Sequence, residues 1–187
     1  MISLRTTTLL LCLFALPALA DSLPDYKQTT QGLYISAADA YAKKQALGNG
    51  VIFIDVRTRE EVAFVGMPTD ADANIPLKHV SLKKLDSEKG SFPMTPNPDF
   101  VTSVDTLVSS MGQDKNQPIM VMCRSGGRSA AAVNLLALEG YTQVYSVVDG
   151  FEGDKATSGP DKGLRVVNGW KNSGAPWTMK LDADKLH

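Results

Sequence analysis

Only two cysteines occur in the 187 residues, Cys12 and Cys123, and only two histidines, His79 and His187. A disulfide-rich scaffold and a cysteine-only structural zinc site are therefore excluded. The histidines and cysteines fall at no recognised ligand spacing, so no metal and no other cofactor is expected. No charge of one sign dominates. Lys and Arg number 19 against 20 Asp and Glu, a formal net charge of −1, which excludes a general nucleic-acid binder. The apolar run at residues 9–16 is too short to span a bilayer. No internal repeat is visible. Hydrophobic residues make up 43% and charged residues 21%, which excludes wholesale disorder. The length suits one domain with short appendages.

The first residues carry an address. Arg5 supplies a positive start, residues 9–16 an apolar stretch, and Pro17-Ala18-Leu19-Ala20 a small-residue end before Asp21. This is the pattern of a secretory signal peptide, residues 1–20, cleaved after Ala20. An uncleaved anchor is the alternative. Cys12 has no small residue before it and is not a lipid-attachment cysteine. Cleavage leaves no stable membrane anchor and makes Cys123 the only thiol. Export to the periplasm is expected. A lone cysteine there makes no internal disulfide, and is either a buried inert thiol or a reactive one.

The remaining chain alternates strand and helix signals. Residues 21–35 are polar and are expected to form a mobile lead-in. Ser36 with Asp39 predicts a helix start, with a helix over Ala37–Leu47 stopped by Gly48 and Gly50. Val51-Ile52-Phe53-Ile54 has the continuous apolar pattern of a strand buried on both faces. Thr58 and Glu61 predict a capping box on a second short helix, through about Phe64. Residues 66–78 and 86–98 are expected as loops, with a short strand near Ile75 or Val80. Asn97-Pro98 is expected as the cap and first position of an amphipathic helix closed by Gly112. Ile119-Met120-Val121-Met122 is a second buried strand, residues 129–139 a helix, and residues 144–148 a third strand. The order implies an α/β fold with a mainly parallel central sheet and helices on both faces. Residues 152–169 are polar and Gly-rich.

The stretch Met122-Cys123-Arg124-Ser125-Gly126-Gly127-Arg128-Ser129 carries the chemistry. Cys123 falls at the carboxyl end of a buried strand, the edge where open α/β sheets bind ligands. A helix N-terminus follows and presents unpaired N–H groups. Gly126 and Gly127 let the backbone curl into an anion-binding nest. Arg124 and Arg128 add positive charge. Each feature favours a thiolate, and together they suit attack on a sulfur or phosphorus centre of an anionic substrate.

This loop resembles the active-site loop of the rhodanese (sulfurtransferase) family. Three further segments carry the same resemblance: Ile54-Asp55-Val56-Arg57-Thr58-Arg59-Glu60-Glu61, Asn74-Ile75-Pro76-Leu77, and Val144-Tyr145-Ser146-Val147-Val148-Asp149-Gly150-Phe151. It implies a single rhodanese-like domain over residues 36–180. It also implies a Cys123 nucleophile that carries a persulfide between two half-reactions. Sulfane sulfur would pass from a small anionic donor, thiosulfate or polysulfide, to cyanide, a thiol or a protein sulfur acceptor. Arg124, Ser125, Gly126, Gly127, Arg128 and Ser129 would form the cradle, with Arg124 and Arg128 as candidates to hold a dianionic donor. Asp55 and Arg57 end another strand and either reach the site or brace the sheet edge, and the second is expected.

Two segments depart from the family pattern. Val65-Gly66-Met67-Pro68-Thr69-Asp70-Ala71 lacks the usual histidine, which predicts a changed loop. Asp149-Gly150 replaces a Gly-Gly turn, and the tryptophan expected soon afterwards arrives at Trp170. Residues 152–169 are thus an insertion, either a lid or docking surface or a solvated loop. Trp170 and Trp177 are expected to pack. Two alternatives accompany the enzyme reading. One is a non-enzymatic sulfur-carrier or binding module for a partner protein. The other is a loop-cysteine phosphatase or arsenate reductase. Those enzymes resemble Cys-x5-Arg, whereas Cys123 and Arg128 make the shorter Cys-x4-Arg, which suits a single sulfur.

Overall fold

The computed structural model describes residues 23–83 and 85–187. The expected signal peptide and Cys12 lie outside them. In chain order the elements are β1 (Tyr34–Ile35), α1 (Ala37–Leu47), β2 (Ile52–Asp55), α2 (Arg59–Val65), β3 (Met67–Pro68), β4 (Ala73–Asn74), β5 (Lys78–Val80), β6 (Met94–Pro96), α3 (Phe100–Ser110), β7 (Ile119–Met122), α4 (Gly127–Leu138), β8 (Val144–Val147) and β9 (Trp177–Thr178).

The central sheet has five strands in the order β1-β8-β7-β2-β4, and every pairing in it is parallel. Strands β2 and β7 lie side by side in its middle, with Ile52 opposite Ile119 and Asp55 opposite Met122. All eight of their residues are buried. That explains their unbroken apolar pattern, because both sheet faces are covered. Ile52, Ile54, Ile119 and Val121 point to one face, where Phe100, Val104 and Leu107 of α3 and Val133 and Leu136 of α4 meet them. Phe53, Met120 and Met122 point to the other, against Ala37 and Ala40 of α1, Val62 of α2 and Trp170.

The caps of the first two helices follow the sequence. The Ser36 hydroxyl accepts the Asp39 N–H at 3.1 Å. Thr58 and Glu61 form a full capping box, the Glu61 N–H donating to Thr58 Oγ1 at 3.3 Å and the Thr58 N–H to Glu61 Oε2 at 3.0 Å. Helix α3 starts two residues later than Asn97-Pro98 suggested. Asn97 is used otherwise: its amide donates to the Pro76 carbonyl at 2.8 Å and its Oδ1 accepts the Asp99 N–H at 3.0 Å. It therefore closes a turn before the helix. Residues 86–98 also hold a strand, β6, paired antiparallel with β5.

The expected mobile lead-in is instead tied to the domain. Gln31 spans two backbone groups, its amide donating to the Tyr141 carbonyl at 2.5 Å and its Oε1 accepting the Val144 N–H at 2.9 Å. Lys27 is buried and pairs with Asp154 at 3.0 Å. The segment then pairs with β8 as the edge strand β1. Its polar residues find backbone and charge partners, which is why a polar stretch can dock here.

Trp170 is fully buried, its ring 5.0 Å from Phe53 and 5.7 Å from Tyr41, and its Nε1 donates to the Pro176 carbonyl at 2.9 Å. The late tryptophan thus closes the second core cluster. Trp177, 39% exposed, stands edge-on to Phe151. Its strand β9 pairs with β3, so the changed segment after α2 is covered by the C-terminal strand.

Candidate active site

Cys123 sits directly after β7, at the carboxyl edge of the sheet, and is 2% exposed. The loop closes tightly behind it. Gly126 is the N-cap of α4 at φ +99, so Gly127 and Arg128 are already helical. The helix begins four residues after the cysteine, two earlier than the start at residue 129 that the sequence suggests. Two adjacent glycines look like loop, but only the first needs the left-handed backbone.

That early start brings the Gly126 N–H to 3.2 Å from Cys123 Sγ, which accepts it. The Sγ thus lies at the N-terminal end of a 12-residue helix, with a backbone N–H donated to it. A side chain at position 126 has no room. A Cβ would lie 2.1 Å from the Val148 carbonyl oxygen. Ser129 is buried, and its hydroxyl accepts the Cys123 N–H at 2.9 Å. Its oxygen thus fixes the cysteine backbone from inside the loop.

The turn after β8 completes the frame. The Phe151 N–H donates to the Cys123 carbonyl at 2.8 Å and the Glu152 N–H to the Arg124 carbonyl at 2.9 Å. Gly150, at φ +67, passes so close that a Cβ would lie 2.5 Å from the Cys123 carbonyl oxygen. Asp149 replaces the other family glycine and has its own work. Its carboxylate accepts the Ala37 N–H at 2.7 Å and the Gly169 N–H at 3.0 Å. It thereby joins the start of α1 to the end of the 152–169 segment.

Cys123, Ser125, Gly126, Gly127 and Ser129 therefore share one closed loop, and the two loop arginines differ. Arg124 is exposed. Arg128 is not free: it meets Glu61 of α2 through two bonds of 2.6 Å, Nη1 to Oε2 and Nη2 to Oε1. The sequence shows Glu61 only as a capping residue. Its second role was hidden because nothing local reports the approach of α2 to α4. Burial alone would raise the Glu61 carboxyl, but the Arg128 hydrogen bonds and charge outweigh it. The Thr58 N–H and Arg57 add to them, and the net shift is downward. Burial likewise opposes the Arg128 charge, and Glu61, then Cys123 and Asp55, raise its affinity for the proton.

Asp55 and Arg57 brace the sheet edge. Arg57 is fully buried and forms a two-point pair with Asp55, with Nη2 2.6 Å from Oδ2, and Nη2 also donates to the Gly66 carbonyl at 2.8 Å. The guanidinium lies 3.9 Å over the Phe151 ring. Among the described residues, no cluster of three or more histidine, cysteine or carboxylate side chains is placed to hold a metal ion.

A parallel sheet with a cysteine loop at its carboxyl edge, closed onto a helix N-terminus, defines a rhodanese-like domain. The chain matches the Rhodanese-like domain family over residues 37–157 and belongs to that family. RP600, an uncharacterized protein of Rickettsia prowazekii, is 33% identical over 131 residues, 70% of this chain and 85% of that protein. Thiosulfate sulfurtransferase 16, chloroplastic, of Arabidopsis thaliana is 36% identical over 99 residues, 53% of this chain and 69% of that protein. The crystal structure of Rv0390 from M. tuberculosis superposes with a TM-score of 0.57 at 25% identity, covering 78% of this chain and 96% of that one.

Proposed function

We propose that this chain is a sulfurtransferase that carries sulfane sulfur as a persulfide on Cys123, with the backbone of residues 124–129 as its cradle. The observation that carries this reading is the buried Sγ, 3.2 Å from the Gly126 N–H at the start of α4. A thiolate there attacks the sulfane sulfur of a donor. The donor's S–S bond breaks and its leaving group departs with the electron pair. The curled loop holds the terminal sulfur of the resulting persulfide. An acceptor thiolate or cyanide then attacks that outer sulfur, and the Cys123 thiolate leaves.

Similarity to a protein named thiosulfate sulfurtransferase supports the same chemistry. The loop geometry favours sulfur over a tetrahedral oxyanion, because Arg128 is already held by Glu61 at both terminal nitrogens. The N-terminal pattern of residues 1–20 supports action in the periplasm. The test is thiocyanate release from a sulfane-sulfur donor and cyanide. The wild-type chain is expected to turn over and a folded Cys123→Ser variant to release none. Turnover by the serine variant would overturn the mechanism.

A further inference from the structure

Two arginines lie within the charge cluster beside Cys123, and each is matched by a carboxylate. Arg128 faces Glu61 and Arg57 faces Asp55. The Arg128 and Glu61 side chains are each 16% exposed, so solvent screens the pair only partly. Glu61 is held on a second side as well, since its Oε2 accepts the Thr58 N–H at 3.0 Å. It cannot swing away without opening the cap of α2. Arg124 makes no ion pair among the described residues, and it lies at the exposed rim.

We propose that Glu61 sets the donor class of the Cys123 loop: by occupying Arg128 it disfavours a dianionic donor such as thiosulfate and selects a thiol persulfide. This inference rests on the sulfur-transfer reading and sharpens it. Glu61 acts through Arg128 and touches no donor atom, so it is a positioning residue.

The two donors demand different electrostatics. In R–S–SH the outer sulfur is bonded to an uncharged thiol sulfur. The Cys123 thiolate attacks the outer sulfur, a Cys123 S–S bond forms, and the donor S–S bond breaks. The thiolate RS⁻ leaves with the electron pair, while the proton stays on the transferred sulfur. Only one negative charge is present at the reacting sulfurs throughout. Thiosulfate brings two charges to an anionic nucleophile and releases sulfite, which also carries two. Cations free to face that charge stabilise it more than ones already paired. Here the loop supplies backbone N–H groups and the rim Arg124, while the charge of the second loop arginine is already paired with Glu61 through both terminal nitrogens.

The test compares kcat/KM for thiosulfate and for glutathione persulfide as probes, with cyanide as acceptor, in the full mature chain and in Glu61→Gln. Glutamine keeps the side-chain length and an oxygen for the Thr58 N–H while removing the charge. The wild-type chain should favour the persulfide. The variant should narrow the preference by roughly tenfold through a gain with thiosulfate, the order expected when one partly buried charge is unmasked. Sulfate, a dianion that donates no sulfane sulfur, should not compete with the persulfide in the wild-type chain, and that measurement needs no variant. A wild-type preference for thiosulfate, an unchanged ratio in a folded Glu61→Gln, or tight competition by sulfate would each overturn the proposal while leaving Cys123 transfer standing. Failure of both donors to load Cys123 would instead remove the sulfur-transfer reading.

Discussion

The hydroxyl of Ser129 accepts the backbone N–H of Cys123 at 2.9 Å, across six residues and between two buried residues. The cysteine is therefore fixed from behind by a side chain of the helix that follows it. Ser129→Ala would leave a buried N–H without a partner, at a cost of about 1–3 kcal/mol. Denaturant unfolding should show that loss. Sulfur loading should slow as the cysteine backbone loosens, and an unchanged loading rate would show that other contacts suffice.

Gly126→Ala should do more damage. The residue sits at φ +99, and an added Cβ would lie 2.1 Å from a backbone oxygen. Strain at such a position costs about 1–3 kcal/mol before any displacement of the β8 turn. A drop in thermal stability together with loss of transfer is the expected result. An alanine variant of wild-type stability would mean that the loop is more pliable than its geometry indicates.

Trp170→Ala tests the C-terminal closure. Its ring is fully buried against Phe53 and Tyr41. Truncation should cost about 3–5 kcal/mol. A melting temperature within a degree or two of wild type would exclude a core role for this residue.

Acid sensitivity has a defined sign. The folded state holds the Glu61 carboxyl below its ordinary value of 4.5. The unfolded chain therefore binds that proton more tightly. Stability from Glu61 is complete above 4.5 and is lost as pH falls through the lower folded value. Asp149 has the opposite sign: burial raises it above 3.8 despite its bonds from Ala37 and Gly169. Its contribution declines as pH rises through the window between 3.8 and the raised value. Melts across roughly pH 3 to 6 should show a shallower acid-side decline in Glu61→Gln than in wild type, and Asp149→Asn should not reproduce that flattening.

Much of this architecture was legible residue by residue. Ser36 and Gly48 bracket α1 at the predicted limits, and the buried runs at β2 and β7 announce a sheet covered on both faces. Cys123 and its loop stood out because glycine, arginine and a strand end fall together. What stayed hidden depends on distant partners. The lead-in is polar, yet Lys27 finds Asp154, 127 residues away. Arg128 looks like a free cation until Glu61 arrives from 67 residues earlier. The sequence puts the start of α4 late because a Gly-Gly pair signals loop, although Gly127 adopts helix once Gly126 has made the turn.

The most direct test of the account is the intact mass of the purified protein after incubation with a persulfide donor, before and after cyanide. A gain of one sulfur atom that maps to Cys123, disappears with cyanide and is absent from Cys123→Ser is the predicted result. No gain on the wild-type chain, or a gain that survives in the serine variant, would contradict it.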